Sequence, residues 1–462
     1  MKTHSLSAVS FRDPAGFVYC QQNDLRRQVN LVYREHYDRL RASGLYDELV
    51  EAGLLIKHEE LQEEAFEPEL AYKVIRPERI PFVSYACEWS FSQFQDAALA
   101  VLDVQRRALL RGMTLKDCSA YNLQFHAGRP IFIDTLSFEV NRPGQAWTGY
   151  RQFCEHFLAP LALMSVRDPR LGQLCRANID GVPLDLAARL LPWRCRLRWG
   201  LAIHLFLHSA LQHKHSGHSG SSSSGRLNTR SLLGLVDSLR ETVRGLSWKP
   251  RKEGWASYYE DQSYTHEEFQ SKARLVAEFL NRTGAKHVWD LGANTGYFSR
   301  LACELGLSTI SFDADPACVE WNYLEAKRRK ETRLLPLLLD LFNPTPPAGW
   351  LNRERLSIFE RGKPDLVLAL ALIHHLAFTG NQPLDNLAEF FEGLAPWLVI
   401  EFVPESDPQA QSLQARRAGI HHPYDRERFE RSFNERFTIV TSEPVSESGR
   451  TLYLMRRRNA GR

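Results

Sequence analysis

Val288–Gly296, "VWDLGANTG", opens with apolar residues, meets an acid and then turns through glycine and asparagine. Apolar residues running into turn formers read as a buried strand leaving a core. Gly292 and Gly296 let the backbone pass close to a ligand, and Asp290 can orient the loop or accept a hydrogen bond from an ammonium group. The spacing is Gly-x-x-x-Gly, so the Gly-x-Gly-x-x-Gly pattern of dinucleotide binders is absent, and no Lys-Ser/Thr pair follows to make a P-loop.

Outward from this stretch, "AKHVWDL", "STISFDA", "LLPLLLD", "DLVLALAL" and "WLVIEFV" read as strands, separated by helical segments such as "FSRLACEL" and "PACVEWNYLEAKRRK". Buried strands alternating with helices predict an α/β unit with an open parallel sheet. "FTIVTSEPVSESGRTLYLMRR" adds two strands joined by a turn. Ligands of such sheets sit beyond the carboxyl ends of the strands. Asp313 closes the second strand, where a carboxylate can accept both hydroxyls of a ribose, and Asp340 closes the third, where an acid can take the exocyclic amine of adenine.

Three acids at successive strand ends with one glycine loop resemble the class I S-adenosylmethionine-dependent methyltransferases, over residues 253–457. The resemblance implies a Rossmann-like seven-stranded sheet with a reversed final hairpin. It also implies S-adenosyl-L-methionine as cofactor, held by Asp290, Gly292, Asn294, Gly296, Asp313 and Asp340. The family usually has glycine where this chain has Asn294, a residue that tolerates left-handed geometry. The plainer alternative makes the three acids helix caps and turn formers.

Methyl transfer from a sulfonium is an in-line displacement, so the protein chiefly holds donor and acceptor in line, and a base removes the acceptor's proton. "LALALIHHLAF" puts His374 and His375 after the fourth strand, and imidazole suits that base; otherwise they bond across the loop or pack on the adenine. The Asn-Pro-Pro-Tyr signature of adenine-N6 and glutamine methylation does not occur, so those acceptors are not expected. Tyr264 and Lys272, on the helix before the sheet, are expected as lid contacts. His421, His422 and Tyr424 are expected near the acceptor.

The first half carries a second constellation. In "TLKDCSAYNLQFHAGRPIFIDTLSFE" Asp117 precedes Asn122, and a hairpin turning at Ala127–Pro130 leads to Asp134. This resembles the catalytic loop of protein kinases and aminoglycoside phosphotransferases, which implies Asp117 as base and Asn122 and Asp134 as ligands of Mg²⁺ on ATP. The chain departs from that pattern: Leu115 replaces a histidine, Thr135-Leu136 replaces Phe-Gly, and only Gly16 offers a phosphate-covering turn. Lys73 and Arg27 are the candidates for a nucleotide contact. The alternatives are turn and cap residues, or a degenerate domain that docks a substrate or partner.

With 462 residues the chain exceeds one ordinary core. The run "SALQHKHSGHSGSSSSGRLNTR" has a linker's composition, which divides the chain into an α+β, kinase-resembling domain over 1–208, a linker over 209–230 and the methyltransferase domain over 231–462. His213, His215 and His218 read as solvated linker, not as a metal site. A formal net charge of +3 gives no general reason to bind nucleic acid or membrane. Eight scattered cysteines without a Cys-x-x-Cys pair read as reduced thiols. No signal peptide or membrane span is legible, so a cytoplasmic protein is expected. The expected function is methyl transfer to an oxygen or nitrogen of a small-molecule acceptor. The competing readings are a phosphotransferase or bifunctional enzyme using Asp117, Asn122 and Asp134, and a non-catalytic scaffold that binds the cofactor. Oligomeric state is not legible.

Overall fold

The computed structural model describes residues 4–6, 12–21, 24–207, 228–250, 266–415, 421–445 and 449–458. Most of the expected linker, its three histidines and Tyr264 lie outside the described residues. The chain divides into two compact units, Met1–Lys249 with Thr345–Ser357, and Pro250–Pro344 with Ile358–Arg462.

That division falls later than the Ser/Gly/His run. Helix Thr229–Arg244, expected in the second half, belongs to the first unit. Its buried residues Leu232, Val236, Leu239 and Val243 recur at helical spacing, and such a stripe needs an apolar partner. It finds one in helix Phe91–Leu110, whose Gln95 Nε2 donates to the carbonyls of Val243 (2.9 Å) and Leu246 (2.8 Å). Thr345–Ser357 also joins this unit, with the Arg355 guanidinium 3.7 Å from the Tyr121 ring centre and the Leu356 amide donating to the Tyr85 hydroxyl at 2.8 Å.

The first unit is α+β. Strands β1 (His4–Leu6), β2 (Gly16–Gln21), β3 (Asp24–Asn30), β4 (His58–Leu61) and β5 (Ala71–Pro77) form an antiparallel sheet in the order β1-β2-β3-β5-β4. After the long helix come β6 (Met113–Leu115), β7 (Leu123–His126), β8 (Arg129–Phe132) and β9 (Phe138–Val140), with β6 paired to β9 and β7 to β8. The β7–β8 hairpin turns through Ala127 and Gly128, both at positive φ, as a two-residue turn requires.

The second unit carries β10 (His287–Leu291), β11 (Ser308–Asp313), β12 (Leu334–Leu338), β13 (Leu366–Ala369), β14 (Trp397–Phe402), β15 (Phe437–Pro444) and β16 (Thr451–Arg457). Their order is β12-β11-β10-β13-β14-β16-β15, and all are parallel except β16, which runs antiparallel to both neighbours. Val288, Leu366, Leu368, Val399, Leu452 and Leu454 pack with Val276, Phe279 and Phe298 from covering helices, which is why the central strands read as continuous apolar runs. The order reverses beside β10, and there the loops from β10 and β13 part to open a crevice. Among the described residues no helix is long and apolar enough to cross a membrane. All eight cysteines are free thiols.

Gly296 starts helix Tyr297–Glu304 at φ +82°, and a Cβ there would lie 2.3 Å from the Asn322 side chain. That amide cannot swing aside freely, since it accepts from Arg300 Nη2 at 2.8 Å and donates to Ser311 Oγ at 2.8 Å. Gly296→Ala is therefore expected to destabilise the fold by more than ~1 kcal/mol, seen as a lower urea midpoint at unchanged slope.

Candidate cofactor and active site

Each of the first three parallel strands delivers an acid to the crevice. Asp290, near the end of β10, is 2% exposed and accepts the Ser299 hydroxyl at 2.5 Å. Burial raises its carboxyl to about 7 against the lowering effect of Ser299. Asp313, at the end of β11, accepts the amides of Asn294 (2.7 Å) and Asp315 (2.9 Å). Burial lifts it to about 6 although both amides favour the charged form. Asp340 follows β12 and accepts the Phe342 amide at 2.9 Å.

The loop after β10 is shaped by these contacts. Gly292 and Asn294 sit at φ +72° and +51°, and the amides of Gly292 and Ala293 both donate to the Phe312 carbonyl at 2.9 Å. A Cβ on Gly292 would stand 3.1 Å from Leu372, so glycine is what lets this loop face the loop of β13.

The resulting cavity measures about 360 Å³ and is lined by Asp290, Gly292, Asn294, Asp313, Asp340 and His375, among others. Gly296 and His374 are not in its wall. The first is a packing and cap position. His374 is 0% exposed and neither ring nitrogen has a hydrogen-bond partner among the described residues, while its ring centre lies 4.2 Å from that of His375. Burial depresses both imidazoles, His374 well below the usual range and His375 to about 4, so both are neutral near pH 7. His375 begins a π-helical turn, with the Gly380 amide donating to its carbonyl at 3.2 Å, and this wide turn aims the ring at the cavity.

Lys272 was expected on a lid and is instead buried, in the cavity wall. Glu401 on β14 holds its ammonium at 2.6 Å and accepts the Ala371 amide at 2.8 Å. Arg450 adds a second cation 3.8 Å from Glu401, and its Nε donates to Asp407 at 2.7 Å. These four side chains, each at most 4% exposed, compensate one another behind the cavity. Sequence reasoning missed Glu401, although an acid inside "WLVIEFV" is costly unless paired, which was a usable signal. It also missed the apolar wall supplied by Phe312, Leu339, Phe342, Leu376 and Leu413. His421, His422 and Tyr424 do not line the cavity; Tyr424 is 2% exposed, donates to the Val403 carbonyl at 2.8 Å and stacks on Phe402.

In the first unit, Asn122 and Asp134 do come together, around Ser137: the Asn122 amide donates to its hydroxyl at 3.2 Å, and that hydroxyl donates to Asp134 at 2.5 Å. Asp134 also accepts the Leu136 amide at 3.0 Å and pairs with Arg27 at 2.5 Å. Arg27 thus occupies the carboxylate that a metal would need. Asp117 accepts the Ser119 amide at 2.9 Å, and Lys73 pairs with Glu60 at 2.9 Å. Among the described residues no cluster of three or more His, Cys, Asp or Glu is arranged to hold a metal ion. These are the bonds of turns and caps, and they lend no support to a Mg-ATP site.

Sheet order, the reversed final strand and the strand-end acids make the second unit a class I S-adenosylmethionine-dependent methyltransferase fold. The whole chain is 34% identical over 459 residues to nodulation protein NoeA of Rhizobium meliloti (strain 1021), covering 97% of this chain and 96% of that protein, and it belongs to the NoeA family. No protein-family model matches the chain. Among solved structures, the PH0226 protein of Pyrococcus horikoshii OT3 is similar at 16% identity over 44% of this chain and 99% of that one, with a TM-score of 0.31. Magnesium protoporphyrin IX methyltransferase of Synechocystis PCC 6803, solved with bound SAH, is similar at 17% identity over 44% of this chain and 92% of that one, with a TM-score of 0.32.

Removing one member of a buried ion pair strands the other. Lys272→Met is expected to cost roughly 3–5 kcal/mol in urea unfolding, and the double variant K272M/E401Q to recover a large part of it.

Proposed function

We propose that the second unit binds S-adenosyl-L-methionine in the strand-end cavity and transfers its methyl group to an oxygen or nitrogen of a small-molecule acceptor. The observation that carries this reading is the convergence of Asp290, Asp313 and Asp340, from three adjacent strands, on one cavity beside the Gly292–Asn294 loop. The cofactor supplies an activated methyl on a sulfonium. Its positive sulfonium and ammonium suit an acid-rich wall, its ribose hydroxyls suit Asp313, and its flat base suits the apolar side formed by Phe312, Leu339 and Phe342.

In this reading Asp290 and the loop amides orient the donor, while Leu372, Leu376 and Leu413 exclude water from the acceptor side. His375, neutral at physiological pH, takes the acceptor's proton as the new bond forms. With a value of about 4 it is a weak base, so alignment of donor and acceptor is the larger part of the rate enhancement. His374, away from the wall, supports the placement of His375 and does not touch substrate.

Calorimetric titration of S-adenosylhomocysteine tests the reading. Micromolar binding is expected, weakened in Asp313→Ala by ~1–3 kcal/mol for the lost charged acceptor; no binding to the wild-type chain would sink it. The pH dependence follows from the raised carboxyls. Below their values Asp290 and Asp313 are protonated and offer little to hydroxyls or an ammonium, so affinity is expected to climb between about pH 5 and 8 as the groups near 6 and 7 ionise. A pH-independent affinity across that window would remove these acids from the binding step. Transfer of label from S-adenosylmethionine to a component of a small-molecule extract separates an enzyme from a cofactor-binding scaffold.

A further inference from the structure

In the first unit, Trp193, Leu197 and Trp199 are 75%, 76% and 78% exposed, the highest values for large apolar side chains among the described residues. They lie within seven residues of one another, and Leu190 and Leu207 at either side of them are also exposed. Isolated exposed apolar residues are ordinary, but a cluster containing two tryptophans is not.

Charge accompanies the cluster. Residues 190–207 contain Arg194, Arg196 and Arg198 and no Asp or Glu. All three arginines are exposed, and none pairs with a carboxylate among the described residues. Arg196 lies 5.3 Å from the Phe206 ring centre. Arg194 and Arg198 border a hollow of about 340 Å³ together with Ser165, Val166, Cys195 and Ser247.

The segment is held firmly from beneath. Cys195, Leu201 and Leu205 are buried, and His204 bridges the Tyr150 hydroxyl and Ser238 Oγ, each at 2.9 Å. Gly200 is pressed so closely on helix Thr229–Arg244 that a Cβ would fall 1.9 Å from Thr242 Oγ1. The inner face therefore fixes the outer one, and little ordering remains to be done on binding.

We propose that residues 190–207 seat the first unit on the surface of an anionic lipid bilayer, with Trp193, Leu197 and Trp199 entering the interface and Arg194, Arg196 and Arg198 meeting lipid phosphates. Indole rings favour the headgroup level because one edge is apolar and the N–H can remain hydrated, and leucine gains from the acyl boundary just below. Arginine forks bind phosphate oxygens, and unpaired positive charge is attracted to an anionic leaflet. A nucleic acid would use the arginines and stack on the indoles but would leave Leu190, Leu197 and Leu207 in water. This departs from the expectation of no membrane partner, which rested on a net charge of +3 averaged over the whole chain.

The test is flotation of the full chain with vesicles of phosphatidylcholine alone and of phosphatidylcholine mixed with an equal amount of phosphatidylglycerol. The chain is expected to float with the mixed vesicles, to float poorly with the neutral ones and to be released by salt. W193A/W199A is expected to lower vesicle affinity about tenfold or more, and R194E/R196E/R198E to do the same for the mixed vesicles. Because these side chains are exposed, both variants should keep the wild-type thermal midpoint and S-adenosylhomocysteine binding, which separates loss of the surface from loss of the fold. Failure of the wild-type chain to float, or flotation of W193A/W199A at wild-type affinity, overturns the proposal. So does self-association of the wild-type chain without flotation, abolished by W193A/W199A, which would assign the patch to contact between copies.

Discussion

A carboxylate at the buried end of a parallel strand loses its water, and the arrangement of the second unit's site follows from how that loss is offset. Asp313 accepts two backbone amides, one of them from Asn294 in the loop after β10. The same acid that lines the cavity thus fixes the neighbouring loop that also lines it. Asp290 has one strong donor, Ser299, and deeper burial, so its carboxyl rises further than that of Asp313. Both acids are held above the usual carboxylate range, a penalty that a cationic, hydroxyl-bearing ligand would relieve. Stability and ligand readiness pull against each other at these two positions.

Behind the cavity the charges are balanced differently. Lys272, Glu401, Arg450 and Asp407 come from helix His266–Asn281, β14, the residue before β16 and the loop after β14. Each ion is desolvated and each has a partner of opposite sign, so the cluster contributes less to net stability than to specifying how these elements meet. Glu401 carries that specification into the site, since its bond to the Ala371 amide holds a non-glycine residue at φ +49° where the chain leaves β13 toward His375. The position of the candidate base is therefore tied to a carboxylate on the neighbouring strand.

Much of the second unit was legible because its signals are local and periodic. Apolar runs of strand length, glycine and asparagine after β10, and acids at strand ends each follow from a few consecutive residues, and their alternation with helices gives the parallel sheet, while the seven-stranded arrangement with its reversed hairpin came from the family resemblance. What was not legible depends on contacts between distant residues. Lys272 reads as a polar residue on an amphipathic helix until Glu401, 129 positions later, is placed against it. Adjacent histidines look equivalent in "IHHL", and only the wide turn starting at His375 sends one ring to the cavity and leaves the other buried, with no hydrogen-bond partner among the described residues. The helix at Thr229–Arg244 was placed in the wrong half because composition marks a linker but does not say which core the next amphipathic stripe will join.

In the first unit a suggestive spacing meets an environment of turn, cap and ion-pair bonds. Asp117, Asn122 and the hairpin to Asp134 occupy the positions the sequence suggested, and Asn122 and Asp134 even meet around one hydroxyl. A metal site needs carboxylate lone pairs left open toward a cavity. Here the Leu136 amide, the Ser137 hydroxyl and the Arg27 guanidinium take those of Asp134, and Arg27 supplies a fixed positive charge where a dication would otherwise be required. Arg27 on β3, Asp134 after the hairpin and Ser137 in the turn that follows are thereby bonded to one another. Spacing records the path of the backbone; the neighbouring charges decide what that path can bind.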